Sequence, residues 1–525
     1  MLAKICRIDF RGAMSDTFNG VSVSGRKVAV NTAITYGRSI IGMLFGLFSS
    51  RWILLSLGET DFGLYGLVGS LIVAVSFVNL VLSNATSRFY AVAVGERDGD
   101  LAGWFNAAVS VHVVLALIVL LVGFPLGEYA IGNWLVIPDG RVAACRVVFT
   151  MSLVATAAGV LSVPYSAMFT ARQKFGELAA YALLGSAFTC AVAGFMRSSS
   201  GDRLICFSVL VSGLSCLMSV VQSVRARIRF PECSIRLAKL GDSGKARELV
   251  TYSGWRILGT SGWLAQRQGA AFVVNLAFGA AANAAYSIAG QFAVHASSLT
   301  TALSSAVTPA IATMLGRGDE TKTADMVLAS CRFMGFLAAL IGIPLAVEAN
   351  SVLKIWLVTP PAGAWVLATL FTVAMILDSS TAGIAAGLGA NRDVAMWQTF
   401  AFVVLAVTCP VAWMCFKMGF GLASLGFIFV AAACIMTVGR VCFAKKLLGV
   451  MPGEWKRKVA LPLAGVWVVS ALASLSLHSF LAEGLVRVVA VGLGALATTF
   501  VASYFILFTD KEKSAICQTL LQRRL

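Results

Sequence analysis

Fourteen stretches of this chain, nearly all apolar and mostly 20 residues or longer, follow one another with short polar breaks. A helix needs about 20 apolar residues to cross the roughly 30 Å hydrocarbon core of a membrane. Only helices and closed barrels cross it with every backbone group satisfied. We place the spans near 31–56, 62–84, 104–126, 146–169, 177–196, 204–223, 250–278, 283–308, 326–346, 361–388, 398–416, 420–439, 459–478 and 485–508. A soluble core of this length does not absorb 58% hydrophobic residues against 12% charged ones, so the fold expected is an all-α polytopic membrane protein with 14 transmembrane helices.

An even number of spans puts both termini on one side, and the basic residues choose it. Of the 41 Lys and Arg, 29 fall on the side of the termini, 7 in the opposite loops and 5 within spans. Cytoplasmic loops carry such an excess, so N and C termini are expected in the cytoplasm and the chain in a plasma membrane. The net charge of +17 is then a topology signal spread over many short loops, and no nucleic-acid partner is expected. The 12 cysteines are scattered without CxxC or His-rich spacing and read as small apolar fillers, so no metal site is expected. No cleavable signal is expected, and Met1 and Met14 both stand as candidate starts.

The halves repeat at an offset near 221. Tyr65 and Gly69 match Tyr286 and Gly290, Leu82-Ser83 matches Leu303-Ser304, Gly95 matches Gly316, Pro125 matches Pro344, Trp134 matches Trp356 and Pro138 matches Pro360. Six spans per copy keep both copies in one orientation, related by an axis along the membrane normal. The organisation expected is a cytoplasmic segment 1–28, a six-helix half 29–223, a basic linker 224–248, a second half 249–440, two extra helices within 441–508, and a cytoplasmic tail 509–525.

Charge inside the bilayer marks the candidate site, because each buried charge costs roughly 3 kcal/mol or more unless it faces water or a partner. Arg256 and Arg267 of span 7 are 11 residues apart, so they share a face about 16 Å apart along the axis, with Tyr252, Thr260 and Trp263. Either they line a path for an anion, or they are neutralised by a carboxylate, for which Asp378 in span 10 is the candidate. Span 1 carries Asn31, Thr35 and Arg38 on one small and polar face; span 8 carries Asn283, Ser287, Gln291, His295, Ser298 and Ser305 on one stripe. Both stripes read as cavity lining, against the alternative of polar glue between helices. Asp378 is also the candidate for H⁺ or Na⁺ coupling, and no cofactor is expected. Asp61 and Glu348, at outer helix ends, are expected to be solvated. His112 reads as structural. Residues 127–141 and 350–361 read as helices lying at the outer interface.

Four blocks give the chain a familiar look: RWILLSLGETDFGLYGLVGSL (51–71), RFYAVAVGERDGD (88–100), SVPYSAMFTARQKF (162–175) and VVNLAFGAAANAAYSIAGQ (273–291). Over residues 30–440 it resembles the bacterial O-antigen and capsule oligosaccharide-lipid flippases of the multidrug/oligosaccharidyl-lipid/polysaccharide exporter superfamily. That resemblance implies two six-helix bundles in a V, with the two extra helices outside it, and alternating access. It implies an undecaprenyl-diphosphate-linked oligosaccharide as cargo, membrane lipid around it, and a polysaccharide polymerase and chain-length proteins as partners. A cation-coupled multidrug exporter of the same superfamily is the second reading, and a membrane-embedded polymerase or ligase the third. The sequence has no nucleophile–base pair or phosphate-cradling glycine loop, so no enzyme activity is expected.

Overall fold

A computed structural model describes residues 25–95, 100–172, 174–198, 201–235, 243–298, 300–301, 303–304, 307–308, 311, 314, 320–390, 395–509 and 513. Their side chains are described except those of 25–40, 43, 73–78, 80, 84, 91–92, 95, 243, 252, 254–260, 320 and 390. The helices are α1 (Gly25–Gly95), α2 (Leu101–Asn133), α3 (Val142–Ala171), α4 (Phe175–Phe195), α5 (Arg203–Arg229), α6 (Ser243–Ala296), α7 (Glu320–Val347), α8 (Ala349–Leu357), α9 (Ala364–Ser379), α10 (Ala382–Ala390), α11 (Ala395–Lys417), α12 (Ala423–Leu447), α13 (Leu461–Phe480) and α14 (Leu485–Ala502). The protein is an all-α, multi-pass membrane protein, with no strand among the described residues.

Helix α1 has 71 residues, which would stretch about 107 Å if straight, several times the hydrocarbon thickness. It is broken at Gly58, with φ 77° and ψ 172°, and α6 is broken at Gly279, with φ 78° and ψ −170°. These left-handed positions suit glycine, and their separation equals the repeat offset of 221. The Gly279 break turns the chain back on itself. Tyr286 Oη donates to the Arg267 carbonyl at 2.7 Å. In a continuous helix these residues would lie about 28 Å apart. The arms before and after the glycines are called α1a and α1b, α6a and α6b.

Among the described residues, ten helices are long and apolar enough to cross a membrane, or eleven with the bent pair α9–α10 counted as one span. That number counts 261–296 as one helix, although the Gly279 turn divides it. The full set of fourteen is thus an expectation that the described residues meet in part.

The repeat copies differ where sequence reading made them alike. Residues 127–133 do not form a separate interfacial helix: α2 runs on without a break through Pro125 to Asn133. The matching segment does break off, as α8. Glu348, at its N-cap position, is drawn inside by partners that the first copy lacks.

Those partners come from the two helices outside the repeat. Glu348 is 2% exposed; His478 Nδ1 of α13 lies 2.7 Å from it and Arg487 Nε of α14 lies 3.0 Å from it. Arg487 also donates to Ser351 Oγ at 2.7 Å. Asp61 is likewise buried, paired with Arg141, which also bridges to Asp202 at 2.7 Å. Both carboxylates were expected to be solvated; each is instead an ion-paired tie between segments distant in sequence.

The apolar core shows how the halves meet. At the Gly58 and Gly279 end one continuous cluster takes in both halves, from Ile53 and Phe62 through Phe207 to Ala285, Phe292, Leu353, Phe371 and Phe429. At the other end the described residues form separate clusters. One surrounds Tyr90, Phe105, Phe169 and Phe230 of the first half, the other Met334, Leu388, Trp397 and Leu463 of the second half and α13. Close backbone contact supports the joined end: a Cβ on Gly63 would lie 1.9 Å from the Ala280 carbonyl oxygen. Two cross-half clamps lie there as well. The buried Asn275 side chain accepts from Val136 N at 3.0 Å and donates to Val136 O at 3.1 Å, while Trp356 Nε1 donates to Leu47 O at 2.7 Å.

Candidate functional site

The Gly279 turn builds the first part of the site. It lays α6b along α6a, so that the Arg267 guanidinium reaches the Gly290 face; a Cβ there would stand 3.5 Å from Nη1. The exposed Trp263, one turn earlier, offers its ring to Arg267 at 5.5 Å from the centroid. Such cation–π contact holds a guanidinium in place without cancelling its charge. No carboxylate among the described residues pairs with Arg267, and Asp378, the candidate partner, is engaged elsewhere. Helix α6a can sit deep because Gly262 and Gly269 face α11: a Cβ on either would come within 2.6 Å of Phe402 or Cys409.

Gln291 follows Gly290 and meets the first half. Ser50 Oγ of α1a lies 2.5 Å from its Oε1. His295, one turn on, packs its ring 6.4 Å from Trp356 and close to Gly46. Asn283 is 1% exposed and Ser287 abuts Gly66. The span 8 stripe therefore forms much of the seam between α6b and α1, with Gln291 and His295 half-buried at its edge. The structure brings Arg267, Gln291 and His295 to one region. Asn31, Thr35, Arg38, Arg256 and Thr260 lie outside the described side chains. His112 is buried and its Nδ1 bonds the Ala108 carbonyl at 2.7 Å within its own helix.

The second part of the site lies in the second half. Helices α9 and α10 meet at a short break with a bend of 62°. A broken helix exposes carbonyls that need donors. Arg440 of α12 supplies them. Its Nη1 donates to the Asp378 carbonyl at 3.2 Å, to Asp378 Oδ1 at 2.6 Å and to Thr381 Oγ1 at 3.1 Å. Trp455 Nε1 caps Ser380 O at 3.2 Å. The partner of Asp378 is thus Arg440, 62 residues away, and not Arg267. Arg440 reads as a loop charge in the sequence, but it lies within α12, 9% exposed, over the Trp397 ring.

Asp378 opens onto a cavity of about 520 Å³ lined by Ser297, Thr300, Thr301, Ser304, Thr308, Met375, Ser379 and Ala382. These hydroxyls follow α6b at steps of 3 and 4. The sequence held that signal, but the stripe read from it is rotated onto the neighbouring face.

The lipid II flippase MurJ, in an inward closed conformation, superposes with TM-score 0.67 at 10% identity, covering 90% of this chain and 98% of that one. A multidrug resistance MATE family transporter of the MOP superfamily, inward-facing, gives TM-score 0.60 at 14% identity, covering 77% and 95%. The chain has the fold of these transporters. A MOP superfamily transporter from Pyrococcus furiosus gives 0.55 at 14% identity, covering 82% and 95%. No protein-family model matches the sequence, and no curated protein matches it.

Proposed function

We propose that the protein is a flippase that carries a lipid-diphosphate-linked oligosaccharide across a bacterial inner membrane by alternating access, for O-antigen, capsule or exopolysaccharide synthesis. The observation that carries this reading is Arg267: a guanidinium within an apolar helix, steered by Trp263, without a carboxylate partner among the described residues. A charge so placed is favourable where an anion visits, and a diphosphate bonds to the planar donor fork of arginine. Arg38 and Arg256 are proposed to extend the path, with Asn31, Thr35, Thr260, Gln291 and His295 contacting the headgroup. The basic loop bias supports an orientation with the joined end of the halves outside and the divided end toward the cytoplasm, ready to load cargo from within.

The drug-exporter alternative needs an acid free to meet a cation. Asp378 is the acid on the described cavity, and Arg440 already supplies its counter-charge. Coupling to H⁺ or Na⁺ at Asp378 would proceed by competition with that guanidinium.

The test is a proteoliposome assay with a fluorescent polyprenyl-diphosphate oligosaccharide, with surface polysaccharide and accumulated intermediate measured in cells at matched protein levels. Arg267→Ala combined with Arg256→Ala should abolish transport, and the Lys variants should keep part of it. Normal export by the double Ala variant sinks the anionic-cargo reading.

A further inference from the structure

We infer that the 520 Å³ cavity at the α9–α10 break is a glycan subsite that takes neutral, hydroxyl-rich sugar, apart from the arginine that meets the diphosphate. The inference rests on the flippase reading and adds to it where the sugar goes.

The cavity wall has spent most of its donors and kept its acceptors. Ser297 Oγ donates to Val294 O at 2.8 Å, Thr300 Oγ1 to Ser297 O at 3.1 Å, Thr308 Oγ1 to Ser304 O at 2.7 Å, and Ser379 Oγ to Ile376 O at 2.5 Å. Each of these hydroxyls has one hydrogen, spent on its own helix, and two lone pairs. With Thr301 Oγ1 also donating to Ser297 O at 3.0 Å, five of the six hydroxyls on the wall present acceptors. Asp378 adds more, since a carboxylate accepts only and Arg440 occupies Oδ1. A ligand that suits such a wall must bring donors.

Two donor-rich classes exist, cations and polyols, and charge separates them. Asp378 and Arg440 cancel, and no other charged residue lines the cavity among those described. The C-terminal end of α9, where its dipole would favour a cation, is already met by Arg440. The remaining wall is neutral, so it favours a neutral donor. Met375 and Ala382 add apolar patches that suit the C–H faces of a pyranose. The volume lies within the roughly 300–1,000 Å³ of small-molecule sites.

Two probes test this on the purified full-length protein: farnesyl diphosphate, and the same lipid carrying an N-acetylhexosamine disaccharide. The protein should bind the glycosylated probe about tenfold more tightly, the size expected for one or two net hydrogen bonds. Ser304→Ala with Thr308→Val, which removes two oxygens with little change of volume, should erase that preference and leave the bare lipid bound as before. Ser297→Ala with Thr300→Val is the second variant, should the first fail to fold. An unchanged preference in the folded variants overturns the glycan subsite and leaves the flippase reading standing. Thermal stabilisation by NaCl over choline chloride that both variants lose assigns the cavity to a cation instead. If neither probe binds the unaltered protein, the flippase reading falls and the subsite with it.

Discussion

Asn275→Leu should loosen the joined end of the two halves while leaving each half folded. Asn275 is fully buried on α6a, and its amide makes a two-bond clamp with the Val136 peptide in the connection between α2 and α3. Leucine keeps the volume and removes both bonds. Val136 is exposed, so water replaces the lost partners in the open state and, in part, in the closed one. Two neutral hydrogen bonds contribute about 2 kcal/mol net, a factor of roughly 30 in the ratio of joined to parted halves. The assay is double electron–electron resonance between spin labels at Asn133 and Ala362, both exposed near this end of opposite halves, with the exposed Cys434 and Cys442 replaced by serine. The unaltered protein should show one short distance, and the variant a second, longer one of comparable population. An unchanged distance distribution together with a lowered melting temperature would refute the clamp and make Asn275 an ordinary core residue.

Glu348→Gln strands Arg487 and should cost about 3–5 kcal/mol, read as a fall in melting temperature. Burial opposes ionisation of Glu348, but hydrogen bonds from His478 and Ser351 and the charge of Arg487 outweigh it and hold its carboxyl below the usual range. Its contribution is therefore complete above the unfolded value near 4.3 and is lost as pH falls through the lower folded value; the variant's melting temperature should lack that acid-side drop. Arg440→Leu uncaps the α9 end and should destabilise by about 2–4 kcal/mol, with a double-mutant cycle against Asp378→Asn showing coupling of about 1 kcal/mol or more; additive effects would show that the pair is unimportant. Gly63→Ala drives a methyl into the Ala280 backbone and should reduce folded yield and transport together, because neither helix can rotate the clash away.

The all-α multi-pass class and the repeat offset are legible in the residues because lipid and local geometry impose them: a helix must bury its own backbone and cover about 30 Å with apolar side chains. Even the two breaking glycines sit in quoted blocks at the repeat spacing, since a left-handed turn selects glycine locally. The partner of a charge is set otherwise. Arg440 looks like a loop residue because helix ends are poorly marked in sequence, and its reach to Asp378 depends on how α12 lies against α9. Glu348 looks like a solvated helix end until α13 and α14, which lie outside the repeat, close over it. The polar stripe after Gly279 shows the same limit. Its period is written in the chain, but whether a given face meets α1, open cavity or lipid depends on rotation about the helix axis, and a turn of about 100° per residue moves a side chain from one to another. Local chemistry therefore determines which segments cross and where they bend, and only the packing of distant helices decides which polar groups are spent on each other and which are left for a ligand.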